Sequence, residues 1–272
     1  MHWMGPRHIT SERNDKMKCL ETFVAIVTIC CPSCLWSQSR TPSEAIASAM
    51  KNPNDLNAVG QVIAEFNRTA DTGTWLALKA LYGKSSARLV RENLALILLQ
   101  HGEEDTYLDA LIEYAREAVD TTAPLPIEYD EQGIAISGHL AQGFQRWCEA
   151  KNIELQECSA MVYAYPVDVL MLARAKNRKA IPLLRRALGV ENHAVVEMAV
   201  RGLAWLGDTD SIPLIARQLT RFRPKLAQSV AAATAEFDDP RVTPLLDRFV
   251  ADGKLRQELD LAIRKRHDRA DR

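Results

Sequence analysis

Glu197, Arg201 and Trp205 follow one another at intervals of four, so on a helix they form one ridge of an acid, a base and an indole. Such a ridge can meet a protein partner, with Trp205 as the buried anchor. Equally, Glu197 and Arg201 can pair along their own helix while Trp205 packs on the neighbouring helices. Cys148 and Cys158, ten residues apart, can close a disulfide in an oxidising compartment or remain two part-buried thiols.

Other residues nominate little chemistry. The six histidines (His2, His8, His101, His139, His193 and His267) are scattered, and none pairs with another at ligand spacing, so no metal and no cofactor is expected. His101 and His193 fall at expected helix ends, where an imidazole satisfies terminal backbone groups. The carboxylate runs Glu103-Glu104-Asp105 and Asp238-Asp239 stand just before helices, as caps do. The chain contains no phosphate-binding glycine loop, nucleophile elbow or H-E-x-x-H signature, and no catalytic residue is nominated.

Basic residues gather in two places: Arg174, Lys176, Arg178, Lys179, Arg185 and Arg186, then Arg217, Arg221, Arg223 and Lys225. On one face they could hold phosphates. Most stand at helix C-termini or turns, however, where cations are favoured anyway, and the formal net charge is −1. No nucleic acid is expected.

The elements that must position these residues are helical. The 272 residues allow one large domain or two modest ones, and 47% hydrophobic with 25% charged residues excludes a wholly disordered chain. Only 6% are aromatic, so the core is built of Ala, Leu, Val and Ile, which suits closely packed helices. From residue 41 the apolar residues recur with helical period and no stretch alternates convincingly with period two. The pattern predicts helices over 43–51 capped by Ser43, 55–67 capped by Asp55, 75–82, 85–101, 104–119, and 137–150 capped by Ser137.

The first 39 residues read as an address. Residues 22–39 carry no charge, follow Lys16 and Lys18, and end in small and polar residues, the pattern of a secretory signal cleaved after Ser39. Met17 makes a tidier start than Met1. Export to a periplasm or the extracellular space is expected. An uncleaved N-terminal membrane anchor, or a lipoprotein modified on Cys34, is the alternative, and Cys19, Cys30 and Cys31 fall in the same segment.

The second half repeats itself. Ala180-Ile181-Pro182-Leu183-Leu184 returns 31 residues later as Ser211-Ile212-Pro213-Leu214-Ile215, and a third copy begins at Arg241 with Pro244 one place late. Val196, Val200 and Leu203 match Leu226, Val230 and Ala233 at a displacement of 30. Pro182 and Pro213 sit where a helix begins and a missing N–H is harmless. Each unit is a pair of amphipathic helices that must stack on its neighbours to bury its apolar face.

These residues resemble the HEAT repeats, especially their short PBS-lyase-like form, over 75–119 and 167–267. Arg91 stands where that pattern has an arginine, and Glu197 replaces it in the later unit. The resemblance implies an all-α superhelix, a solenoid of antiparallel helix pairs. The expected organisation is a leader (1–39), a first block of helical repeats (41–119), an irregular insertion with one helix (120–166), and a second repeat block (167–272). The insertion holds Tyr129, Phe144, Trp147, Tyr163 and Tyr165, which either plug the gap between the blocks or form a working face. The function expected is a non-catalytic scaffold binding an unidentified protein in the cell envelope. The family label also implies a bilin-lyase-like enzyme or enzyme subunit as the alternative, and a nucleic-acid backbone binder stands third.

Overall fold

The structure, a computed structural model, describes residues 41–102, 106–121, 125–132 and 134–247. The leader, its four cysteines, the run Glu103-Glu104-Asp105 and the C-terminal residues 248–272 lie outside the described residues. The chain divides into two compact units between Leu94 and Ala95.

In the first unit, α1 (Pro42–Lys51), α2 (Leu56–Thr69) and α3 (Thr72–Lys84) precede α4 (Arg88–Gln100), within which the division falls. Asp55 caps α2 as its spacing predicts, accepting from the Asn57 N–H at 2.9 Å. The cap of α1 is Thr41 rather than Ser43: Thr41 and Glu44 form a reciprocal capping box. Asp71 starts α3 earlier than the apolar pattern did, accepting from the Thr74 N–H at 2.8 Å. One long-range cap ties the elements together. Asn54 Oδ1, before α2, accepts from the Ser85 hydroxyl and from the Ser86 and Ala87 N–H groups at 2.8–3.0 Å, satisfying donors that lead into α4.

The second unit contains α5 (Thr106–Asp120), β1 (Ile127–Tyr129), β2 (Ala135–Leu140), α6 (Gln142–Lys151), α7 (Leu155–Arg174), α8 (Ile181–Ala187), α9 (His193–Trp205), α10 (Ile212–Arg221), α11 (Pro224–Thr234) and α12 (Val242–Asp247). α5, α7, α9 and α11 pack side by side as one layer, while α8 and α10 lie over α9 and α11 as the other members of their pairs. This lateral progression of helix pairs is the solenoid arrangement expected from the repeats. Its core is Leu172, Leu184, Val196, Val200, Leu203, Ile215 and Val230, all buried.

The sequence repeat appears as a structural one. A short 3-10 turn, Arg178–Ala180, leads into α8 with Pro182 in its first turn, and another, Thr209–Ser211, leads into α10 with Pro213 in the matching place. The stacking is close because the facing residues are small. A Cβ on Gly202 of α9 would lie 2.6 Å from Ala173 Cβ of α7.

Two expectations need correction. β1 and β2 form an antiparallel hairpin where no period-two pattern was read. Its turn is stabilised by Asp130 Oδ1, which accepts from the Gln132 and Ile134 N–H groups at 2.9 and 2.8 Å. Ser137 therefore lies in a strand, and α6 begins at Gln142 after Ala141, without a side-chain cap. The segment 120–166 thus holds the hairpin, α6 and the first part of α7, which runs through Pro166.

Candidate functional site

The ridge on α9 is engaged within the protein. Arg201 Nη2 donates to Glu197 Oε1 at 3.0 Å along the helix. Its other terminal nitrogen donates to Glu236, which follows α11. The Trp205 indole N–H donates to the second Glu236 oxygen at 2.7 Å. Glu236 thus takes one bond from each of two side chains in the preceding helix pair, and all four residues remain partly exposed. Glu236 was not legible as a member of this group, because it lies beyond the apolar stripe of its own helix.

A second polar link joins α8 to the turn after α9. The Arg185 guanidinium grips both carboxylate oxygens of Asp208, at 2.6 and 2.9 Å, and the Ser211 hydroxyl donates to Asp208 as well. Asp208 is buried, and burial alone would raise its pKa. The hydrogen bonds from Arg185 and Ser211, with the Arg185 charge, outweigh that and hold the carboxyl below its usual value. One repeat later Asp239 accepts from the Arg241 side chain and backbone N–H, which lower its pKa to about 2, while Arg241 Nη2 also donates to Thr209 O at 3.2 Å. These carboxylates act as structural hinges between repeats, and Asp239, accepting from the Arg241 N–H just before α12, stands where a cap was expected.

The turns joining α8 to α9 and α10 to α11 lie on one edge of this unit, where Arg221 donates to the Gly189 and Val190 carbonyls. The hairpin is fastened along that edge. Arg223 donates to the Tyr129 and Asp130 carbonyls, and the Lys225 N–H donates to Gln132 O at 2.9 Å. Tyr129 meets the first residue of α9, His193, edge to face with ring centroids 5.7 Å apart. Burial raises the Tyr129 pKa and lowers that of His193. The basic cluster around Arg178 lies at the turn leading into α8, beside the Asp208 hinge, on the other edge. Arg186, at the end of α8, instead lines a cleft on the hairpin edge with Gly189, so the first cluster is split between the two edges.

Two clefts open along the hairpin edge. One, of about 740 Å³, lies between the hairpin and the α10–α11 turn and is lined by Ile127, Ile136, Phe222 and Leu226, with Arg221 and Arg223 at its wall. The other, of about 450 Å³, lies between α5, α7 and the α8–α9 turn, among Ala118, Val162, Tyr165 and Val190. Gly189 and Glu191 line both. Ile134 and Ile136 are 49% and 48% exposed, among the most exposed large apolar side chains described.

Cys148 of α6 and Cys158 of α7 form a disulfide with Cα atoms 6.0 Å apart, both side chains buried. Phe144 is fully buried beside it and stacks on Trp147 at 6.2 Å, so these insertion aromatics fill space, whereas Tyr163 is 49% exposed. Among the described residues no group of His, Cys, Asp and Glu is placed to hold a metal ion, and no helix is long and apolar enough to cross a membrane. His101 ends α4 in an exposed turn, far in sequence from His193.

Comparison with known families matches residues 169–235, α7 to the end of α11, to the family described as HEAT repeats. No curated protein and no solved structure matches the chain.

Proposed function

We propose that this HEAT-repeat chain is a non-catalytic scaffold that binds another protein in the cell envelope. The observation that carries the reading is the hairpin edge. Two adjoining clefts and two half-exposed isoleucines form an apolar surface rimmed by charge, the composition of a protein-binding patch. The buried and half-buried carboxylates Asp208 and Glu236, away from this edge, are already committed to arginine partners that hold repeat to repeat, which fits rigidity better than turnover. The ridge Glu197, Arg201 and Trp205 adds a pre-ordered patch on α9. There a partner meets the face of the indole while its N–H stays on Glu236.

Export is part of the proposal. A buried disulfide between α6 and α7 suits an oxidising compartment, and the leader reads as a secretory signal. The test is expression of the full chain in its source cell with a photoreactive residue in place of Ile134. A discrete covalent adduct with an envelope protein, and a mature N-terminus just after Ser39 by mass spectrometry, are expected. An intact leader on a cytoplasmic chain, or no adduct under efficient photolysis, overturns the reading; visible absorbance developing with an added tetrapyrrole replaces it with the bilin-lyase alternative.

A further inference from the structure

Arg221 and Arg223 are held by main-chain oxygen at the hairpin edge. Arg185, Arg186, Arg201 and Arg241 each meet a carboxylate. Arg221 and Arg223 instead donate only to main-chain carbonyls, at Gly189 and Val190 and at Tyr129 and Asp130. A carbonyl satisfies the donors without cancelling the charge, so two guanidinium charges stand uncompensated by any described carboxylate bond at the wall of an apolar cleft. Their positions are held by those same bonds, so little side-chain entropy is lost when an anion arrives. At the junction of the two clefts stands Glu191, exposed, and Glu128 lines the hairpin side; neither makes an ion pair among the described residues.

We infer that the hairpin edge is a docking groove for one extended segment of the partner protein, whose bulky apolar side chain fills the space between Ile136, Phe222 and Leu226 while its carboxylate meets Arg221 and Arg223. The inference rests on the protein-binding reading above and says where and by what chemistry that binding occurs. The occupant is extended because the two clefts share Gly189 and Glu191, so a ligand using both must run past them from one to the other. It is amphiphilic because the larger cleft sets apolar walls beside charges of both signs, Arg221 and Arg223 with Glu128 and Glu191, and Glu191 continues into the second cleft. Glu191 accordingly selects a basic residue further along the segment, and a uniformly acidic segment is rejected there.

The full chain is panned against displayed random dodecapeptides, and the enriched peptides are labelled and titrated by fluorescence anisotropy. Enrichment of an acidic residue next to a bulky apolar one is expected. Ile136→Asp, at a half-exposed position, weakens these peptides at least ~10-fold, a difference of about 1.4 kcal/mol. Arg221→Glu weakens them similarly, and a peptide with Lys in place of its acid recovers affinity for that variant. Circular dichroism confirms that both variants are folded, and Ile134→Asp serves as a second apolar probe. Peptides whose affinity neither variant changes overturn the groove while leaving protein binding intact. Failure to enrich any peptide, while a photoreactive residue in place of Trp205 still gives a discrete adduct with an envelope protein, does the same.

Discussion

Gly202 of α9 faces Ala173 of α7 across a gap with no room for another carbon: a Cβ on Gly202 would meet Ala173 Cβ at 2.6 Å and Leu184 Cδ1 at 3.0 Å. The absence of one methyl group lets two adjacent layer helices approach, and through them two neighbouring repeats. Gly202→Ala gains helix propensity of up to about 1 kcal/mol, yet overpacking costs roughly 1–3 kcal/mol where the opposing atoms belong to a helix backbone and its Cβ. A net loss of stability in urea melts is expected. An unchanged or raised midpoint would mean that α7 and α9 slide apart at no cost.

Glu236 collects the Trp205 indole N–H and one arm of Arg201. Glu236→Gln keeps the shape and one acceptor but loses the charge, so the expected loss is modest, about 0.5–1 kcal/mol given partial exposure. The indole environment changes too, shifting its fluorescence. In a double-mutant cycle with Arg201→Met the two substitutions should couple. Strict additivity would show that the ridge is three independent contacts.

Asp239 titrates at about 2 in the folded protein, below the ordinary carboxylate value, because Arg241 bonds its ionised form. The sign follows from linkage: the unfolded chain takes up the proton first as pH falls, so the contribution is complete above about 4 and lost progressively toward pH 2. Asp208, lowered by Arg185 and Ser211 against its burial, acts in the same direction. Asp239→Asn should flatten the acid limb of a stability-versus-pH curve between pH 4 and 2. If the limb keeps its slope, other carboxylates dominate acid unfolding.

His193 responds at milder pH. Burial lowers its pKa, so the folded state favours neutral imidazole and stability declines as pH falls below the unfolded value of about 6.5. Because the half-buried ring packs against Tyr129, water drawn in to solvate the charged imidazole should loosen the hairpin before the unit unfolds. Hydrogen exchange at the hairpin amides should quicken between pH 7 and 5, and His193→Gln should abolish that pH dependence. The same acceleration in the variant would remove His193 as its cause.

The Cys148–Cys158 bridge closes a ten-residue loop between α6 and α7. Loop-closure entropy for so short a ring stabilises by about 2–3 kcal/mol. Reduction or Cys158→Ser should lower the thermal midpoint by several degrees and expose α6 to proteolysis near Lys151 first. A midpoint indifferent to reductant would mean that Phe144 and its neighbours hold α6 unaided.

Much of the fold could be read along the chain. The 31-residue echo of Ile181-Pro182 in Ile212-Pro213 placed two helix starts, and both begin with the same 3-10 turn. Asp55 announced its helix by side-chain chemistry alone. The hairpin went unread although Ile127, Tyr129, Ile134 and Ile136 alternate about the turn that Asp130, Glu131 and Gln132 enter. The alternation spans too few residues to outweigh a surrounding helical period, and its apolar side chains face a cleft rather than a core. Ser137 looked like a cap because a serine before an amphipathic run is a helix signal, whereas pairing with β1 claimed that backbone for a strand.

Periodicity and helix-start chemistry are local, recorded within a few residues of each position, and they determined that this chain folds as stacked helix pairs with Glu197, Arg201 and Trp205 on one face of one of them. Partners at separations of 31 to 94 residues are recorded nowhere along the chain: Glu236 for Trp205, the Tyr129 carbonyl for Arg223. Which arginines spend their charge on carboxylates and which keep it beside an apolar cleft depends on the pitch of the stack and the path of one hairpin across its edge. Only the packed structure decided that, because long side chains reach several alternatives and burial selects among them.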